Sequence, residues 1–229
     1  MTKIQALLFD LDNTLVDFMK MKHASVDAAV IAMIDAGLDL SADEADKRIW
    51  KIYRDEGIEF QEVFDLLLIE HYGQIDFKLF ASAVIAYRRA REDALVLYPH
   101  VKSTLVELVR RGYRLAVISD APAKQAWLRL CSLGLQHIFE TVITFEDTGE
   151  HKPHPLPFQK ALQTLDVSAD EALMIGDWPE RDMAGANALG IRTIYARYGD
   201  THGTIHSDAD WEVDDISEIL EILKNVESD

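Results

Sequence analysis

Apolar and polar positions along this chain change rhythm twice. Residues 4–9, IQALLF, have the apolar content of a buried strand, and the run stops at Asp10. From residue 17 to about residue 93, apolar positions recur at helical spacing in four segments: 17–36, 41–56, 59–72 and 76–93. The breaks AGLDLSAD, EGIEF and YGQID separate them, with Gly near a helix C-terminus and Ser or Asp near the next N-cap. Four helices on such short links predict a small antiparallel bundle. Met19, Met21, Met33, Phe60, Phe64, Phe77 and Phe80 are expected to fill its core.

Beyond Pro99 the rhythm becomes alternating. Strands are predicted at 113–119, 141–145, 172–176 and 191–196, with a short edge strand at 210–213. Helices are predicted between them, at 100–111, 124–133, 155–165 and 180–189, and a last one at 215–226. This alternation predicts an α/β protein with a Rossmann-like parallel sheet and helices on both faces. The expected division is a core of residues 1–16 and 94–229, with the helical segment 17–93 inserted.

Ligands of such sheets bind at the carboxyl ends of the strands. There the chain places Asp10 and Asp12, then Ser119, then Lys152 in EHKPHP, then Asp177 and Asp182 in GDWPERD. Asp10 and Asp12 stand two apart, and on a strand such residues share a face. Two carboxylates that close repel, and burying either is costly unless something compensates.

The composition narrows the setting. The chain has 229 residues, 48% of them hydrophobic, which supports a sizeable core. A formal net charge of −17 repels nucleic acid and anionic membranes. No apolar run is long enough to span a bilayer, and Cys131, the one cysteine, has no intrachain disulfide partner. The expected setting is soluble and cytoplasmic. Nothing in the sequence chooses between a monomer and a homodimer.

DLDNT at 10–14, a strand ending in Ser119, Lys152 ahead of Pro153, and GDxxxxD at 176–182 together resemble the haloacid dehalogenase superfamily. More narrowly, they resemble its phosphatase branch, with a helical cap inserted after the first motif. The likeness extends over the whole chain. Asp10, at the strand end, is the natural nucleophile for in-line attack on phosphorus, forming an aspartyl-phosphate. Asp12 is placed to protonate the leaving alkoxide and later to deprotonate water. Lys152 would neutralise the transferring phosphoryl group, and Ser119 would hydrogen-bond a phosphate oxygen. Asp10 and Asp177 would offer side-chain oxygens to Mg²⁺. The resemblance adds the backbone carbonyl of Asp12 to that ligand set. Asp182 would support Lys152 or a metal-bound water.

The expected substrate is a small phosphorylated metabolite. Phe18, Lys20, Met21 and His23, on the first helix of the insert, are the candidates for choosing among such metabolites. The resemblance implies that dehalogenases and phosphonatases of the superfamily lack an aspartate at the position of Asp12. Cap lysines of the kind phosphonatases need are present (Lys20, Lys22, Lys47, Lys51, Lys78), so Asp12 argues against that branch. Two alternatives stay open: a phosphosugar mutase on the same scaffold, and a non-catalytic binding or regulatory protein. Two residues depart from the family pattern, Asp120 after Ser119 and Trp178 after Asp177. His151, His154, His202 and His206 lack the companions of a zinc site and are expected in loops.

Overall fold

The computed structural model describes residues 3–228. Among them, six strands form one parallel sheet: β1 Ala6–Phe9, β2 Arg114–Ile118, β3 Thr141–Ile143, β4 Ala172–Gly176, β5 Arg192–Ala196 and β6 Trp211–Val213. Their order is β3-β2-β1-β4-β5-β6. The helices are α1 Phe18–Ala36, α2 Ala42–Glu56, α3 Val63–Tyr72, α4 Phe77–Ala94, α5 Val101–Arg110, α6 Ala123–Ser132, α7 Phe145–Thr148, α8 Pro155–Thr164, α9 Ala184–Asn187 and α10 Ile219–Ser228. Two compact units result. One runs up to Asp17 and resumes at Leu97; the other is Phe18–Val96. None of the described helices is long and apolar enough to cross a membrane.

In the sheet unit, β1 is central, with Leu8 opposite Ala116 of β2 and Met174 of β4. Side chains alternate along each strand. Ala6, Leu8, Ala116, Ile118, Ala172 and Met174 therefore share one face, where they meet Phe158 and Ala161 of α8, Leu165 just past its end and Ala186 of α9. The intervening Leu7, Phe9, Leu115, Val117, Leu173 and Ile175 are equally buried on the other face. Burial on both faces explains why these strands read as unbroken apolar runs. The strand order reverses between β1 and β4. That switch point is where open α/β sheets leave a crevice at their carboxyl edge.

The helical unit has its own core. Val26, Ala29, Val30 and Met33 of α1 pack with Ile49 and Tyr53 of α2, Phe64 and Leu67 of α3, and Leu79 and Ala83 of α4. Ser41 caps α2 by accepting the Glu44 N–H, and Asp76 caps α4 by accepting those of Lys78 and Leu79. Gly73 ends α3 with a φ of 75°, which favours a residue without Cβ.

Several expectations change. Phe77 is 75% exposed rather than in the bundle core. It follows the Asp76 cap directly and lies off the Leu79–Ala83 stripe of α4. Helix α3 begins at Val63 instead of residue 59, because Glu62 supplies no side-chain cap and has a non-helical ψ of 28°. Phe145, expected at a strand end, opens the short helix α7, which Thr144 and Asp147 start with a capping box. The helix expected at 180–189 splits into a π-helical turn, Pro179–Met183, followed by α9. The last helix begins as a 3-10 turn, Ile216–Glu218.

Candidate active site

The first polar residue past each central strand lies at the carboxyl edge of the sheet. Asp10 follows β1, and its N–H donates to Ile175 O of β4 at 2.9 Å. Asp177 follows β4, and Ser119 follows β2. Asp10, Asp177 and Asp182 are 7%, 3% and 1% exposed, and each offers a carboxylate oxygen within 4.8 Å of the others. Buried like charges so close need a cation. Lys152, itself buried, supplies one: its Nζ donates to Asp10 Oδ1 at 2.5 Å and to Asp182 Oδ1 at 2.6 Å.

One ammonium does not balance three carboxylates. Burial pushes the Asp177 carboxyl well above its usual range, and the charges of Asp10 and Asp182 add to the push. Thr14 opposes it, donating its hydroxyl to Asp177 Oδ1 at 3.1 Å. Burial likewise pushes Asp182 up to about 7, against the pull of Lys152. For Lys152, burial works against the charge, but Asp10 and Asp182 more than offset it and hold the ammonium protonated. The donor set is hard carboxylate oxygen carrying surplus negative charge, which fits Mg²⁺ rather than a soft transition metal.

The π-helical turn explains how Asp182 reaches inward. Trp178 O accepts the Asp182 N–H at 2.7 Å, and Asp182 Oδ2 accepts the Trp178 N–H at 3.1 Å. The closed loop aims the carboxylate back at Lys152. Such widened turns concentrate at functional sites. Gly176 makes room: a Cβ there would lie 2.3 Å from Asp182 Oδ2 and 2.6 Å from its Cβ. Asp182 is fully enclosed and has nowhere to move. Gly176→Ala should therefore cost about 1–3 kcal/mol of stability by overpacking. It should also lower kcat about 10- to 100-fold by displacing the Lys152 partner. Thermal melts and steady-state rates check both, and unchanged values would show that Asp182 need not stay where it is.

Asp12 is held separately. Its Oδ2 accepts from Arg129 Nη1 of α6 at 2.7 Å. The turn beyond it places Asn13 at a φ of 61°, a left-handed conformation that Asn tolerates. Gly199 closes on this turn, since a Cβ there would lie 1.7 Å from Asn13 O. Ser119 is buried, and its Oγ accepts the Ala121 N–H at 3.2 Å, so it shapes the loop after β2. Asp120 turns away from a phosphate role: it accepts the Lys152 N–H at 2.8 Å and pairs with Arg181 at 2.8 Å. It thus ties the Lys152 loop to the loop after β4. Trp178 packs beside the Arg181 guanidinium, 3.8 Å from its ring centre, and stacks with His202 at 4.1 Å. His151 stacks on Phe145 at 4.4 Å.

Sequence reasoning missed Arg129 and Thr14 as members of this cluster, and it left the direction of Asp120 open. The available signal for Arg129 was a cation between Ala126 and Leu130, both on the buried side of α6. Of the specificity candidates, Phe18 and Met21 are buried, whereas Lys20 and His23 are exposed, His23 resting on Trp50 at 4.4 Å. Lys22, named only among the cap lysines, is buried with its Nζ 3.9 Å over the Tyr53 ring.

Residues 7–196 match the family model described as haloacid dehalogenase-like hydrolase. The chain belongs to the haloacid dehalogenase-like hydrolases. Within this family it is 33% identical over 229 residues to the glyceraldehyde 3-phosphate phosphatase of Methanocaldococcus jannaschii, covering 99% of this chain and 100% of the relative. It is 29% identical to the ribulose-1,5-bisphosphate 5-phosphatase of Halopiger xanaduensis, over 95% of this chain and 98% of the relative. The crystal structure of a haloacid dehalogenase-like phosphatase from Thermococcus onnurineus aligns with a TM-score of 0.71 and 25% identity, covering 96% of this chain and 98% of that one.

Proposed function

We propose that this chain is a Mg²⁺-dependent phosphomonoester hydrolase that works through an aspartyl-phosphate on Asp10. The observation that carries the reading is the buried cluster of Asp10, Asp177 and Asp182 gathered by Lys152 at the switch point. No packing need explains three enclosed carboxylates around one ammonium, but phosphoryl transfer does.

The steps follow from the side chains. Asp10 attacks phosphorus, its O–P bond forming as the ester P–O bond breaks. Asp12 gives its proton to the departing alkoxide. Water then attacks phosphorus, Asp12 takes the water proton, and the Asp10 carboxylate is released with inorganic phosphate. Lys152 counters the negative charge of the transferring group. Asp182 fixes Lys152, and Ser119 donates to a phosphate oxygen. Asp10 and Asp177, with the Asp12 backbone carbonyl, would hold Mg²⁺, which when bound offsets charge on the phosphoryl oxygens.

The core residues recognise only phosphate and metal, which every phosphomonoester presents. The helical unit Phe18–Val96 is proposed as the cap that chooses the rest of the substrate. The relatives' names favour short sugar or aldehyde phosphates, such as glyceraldehyde 3-phosphate. Lys20 and His23 are the informative cap residues to remove, because exposed side chains come off at little cost to stability. Phe18 and Met21 are buried, and truncating them would confuse binding with folding. Lys20→Ala with His23→Ala should alter kcat/KM ratios among natural phosphates by about tenfold, while an aryl phosphate changes far less. An unaltered ranking across a metabolite panel would remove these two from the specificity set.

The function itself is tested by phosphate release from that panel. Activity should appear with Mg²⁺, vanish with a strong chelator and return on adding Mg²⁺ back. Isomerised product instead of phosphate would indicate a mutase. Neither product would indicate a binding protein.

A further inference from the structure

Helix α6 leaves the loop of Ser119 and turns Ala126 and Leu130 inward. Arg129 lies between them and is only 7% exposed. Enclosing a guanidinium costs several kcal/mol unless a partner and hydrogen bonds compensate. The partner is Asp12, 117 residues away in sequence, at 2.7 Å, with the two side chains 8% and 21% exposed. The cluster thus divides its carboxylates between two cations: Lys152 takes Asp10 and Asp182, and Arg129 takes Asp12.

The division suits a proton-transferring carboxylate. The backbone of Asp12 is already set by the turn that closes from Asn13 N–H to Val16 O at 2.7 Å. What remains is rotation of its side chain, and an anchor on Oδ2 removes that freedom. Guanidinium is the apt anchor, because it is planar, fixed in direction and never gives up its proton at working pH. It therefore fixes the direction of the Asp12 carboxylate through a rigid, planar donor. An ammonium such as Lys152 on the same carboxylate would lack that directionality.

We infer that Arg129 is a positioning residue that holds Asp12 in its proton-transferring orientation. The inference rests on the reading of Asp12 as the acid/base of a phosphatase. Arg129 touches neither phosphate nor metal in this account, so its loss should appear only where proton delivery limits the rate. Alkyl phosphates need the leaving oxygen protonated, whereas aryl phosphates scarcely do.

The test compares kcat/KM, which reports the steps through first alcohol release, for glycerol phosphate and p-nitrophenyl phosphate. Arg129→Met, of similar length but apolar, should lower the alkyl value about 30- to 100-fold and the aryl value less than about threefold. KM for the alkyl ester should stay within about twofold, and Arg129→Lys should recover about tenfold of the alkyl loss. Equal losses on both esters, a loss carried by KM, or no loss at all would overturn the inference. Should the Met variant not fold, Arg129→Lys decides alone: a selective alkyl deficit supports positioning, and an equal or absent deficit contradicts it. A wild-type chain inactive on both esters would overturn the phosphatase reading and this inference with it.

Discussion

Replacing Asp10 with Asn should lower kcat by at least about three orders of magnitude while leaving the protein folded. The amide keeps the shape of the carboxylate and can still accept from Lys152, so the bond seen at 2.5 Å has a replacement. On the proposed mechanism, what disappears is the attacking charge, together with one charged oxygen for Mg²⁺. Stability should not suffer. Asp10 contributes to the repulsion that raises Asp177, so removing its charge relaxes the cluster. A melting temperature at or above that of the wild type, with turnover all but lost, is the expected pair of results. Near-normal turnover in the folded variant would rule out covalent catalysis at this residue.

Asp177→Asn should separate stability from activity in opposite directions. In metal-free protein the ionised Asp177 is disfavoured by burial and by its two carboxylate neighbours. Its folded pKa lies above the unfolded value, so the penalty is absent below the ordinary carboxylate pKa and grows as pH rises through the folded one. At neutral pH the Asn variant should therefore melt higher than metal-free wild type. Mg²⁺ should reverse the order. At about 100 times its dissociation constant it stabilises the wild type by about 2.7 kcal/mol, roughly 5–10 °C in melting temperature for a chain of this size. The variant, lacking one of few protein oxygens, should show little of that shift and need at least about tenfold more Mg²⁺ for half-maximal activity. Differential scanning calorimetry with and without Mg²⁺ checks the stability claim, and a Mg²⁺ titration of the rate checks the other. A variant with the full wild-type Mg²⁺ shift would remove Asp177 from the metal site.

The strand ends that carry these residues were readable because a doubly buried parallel strand is an unbroken apolar run, and an aspartate after it is conspicuous. LLFD at 7–10 and MIGD at 174–177 both have that form. The four bundle helices were readable from their stripes and from caps such as Ser41 and Asp76. What escaped reading depends on contacts between distant segments. Arg129 on α6 has the local pattern of an amphipathic edge, and only the folded chain brings it to Asp12. The direction of Asp120 was equally hidden, since its partners Lys152 and Arg181 lie 32 and 61 residues away. The π-helical turn at Pro179–Met183 has no periodic signature. It goes with contacts that close over distance, as Asp182 folds back on Trp178 and Lys152. Phe77 shows the limit of composition: an aromatic in an amphipathic helix still lies outside the core when its place in the first turn points away from the stripe.

The most direct measurement is to find the phosphoryl group on the enzyme. Asp12→Asn should slow water attack on the intermediate, so acid-quenched samples of that variant, taken just after mixing with Mg²⁺ and a reactive aryl phosphate, should retain it. Peptide mass mapping should then place one phosphoryl group on Asp10. Phosphate release with no phosphorylated Asp10 peptide at any time, or a phosphoryl group on a different residue, would contradict the mechanism.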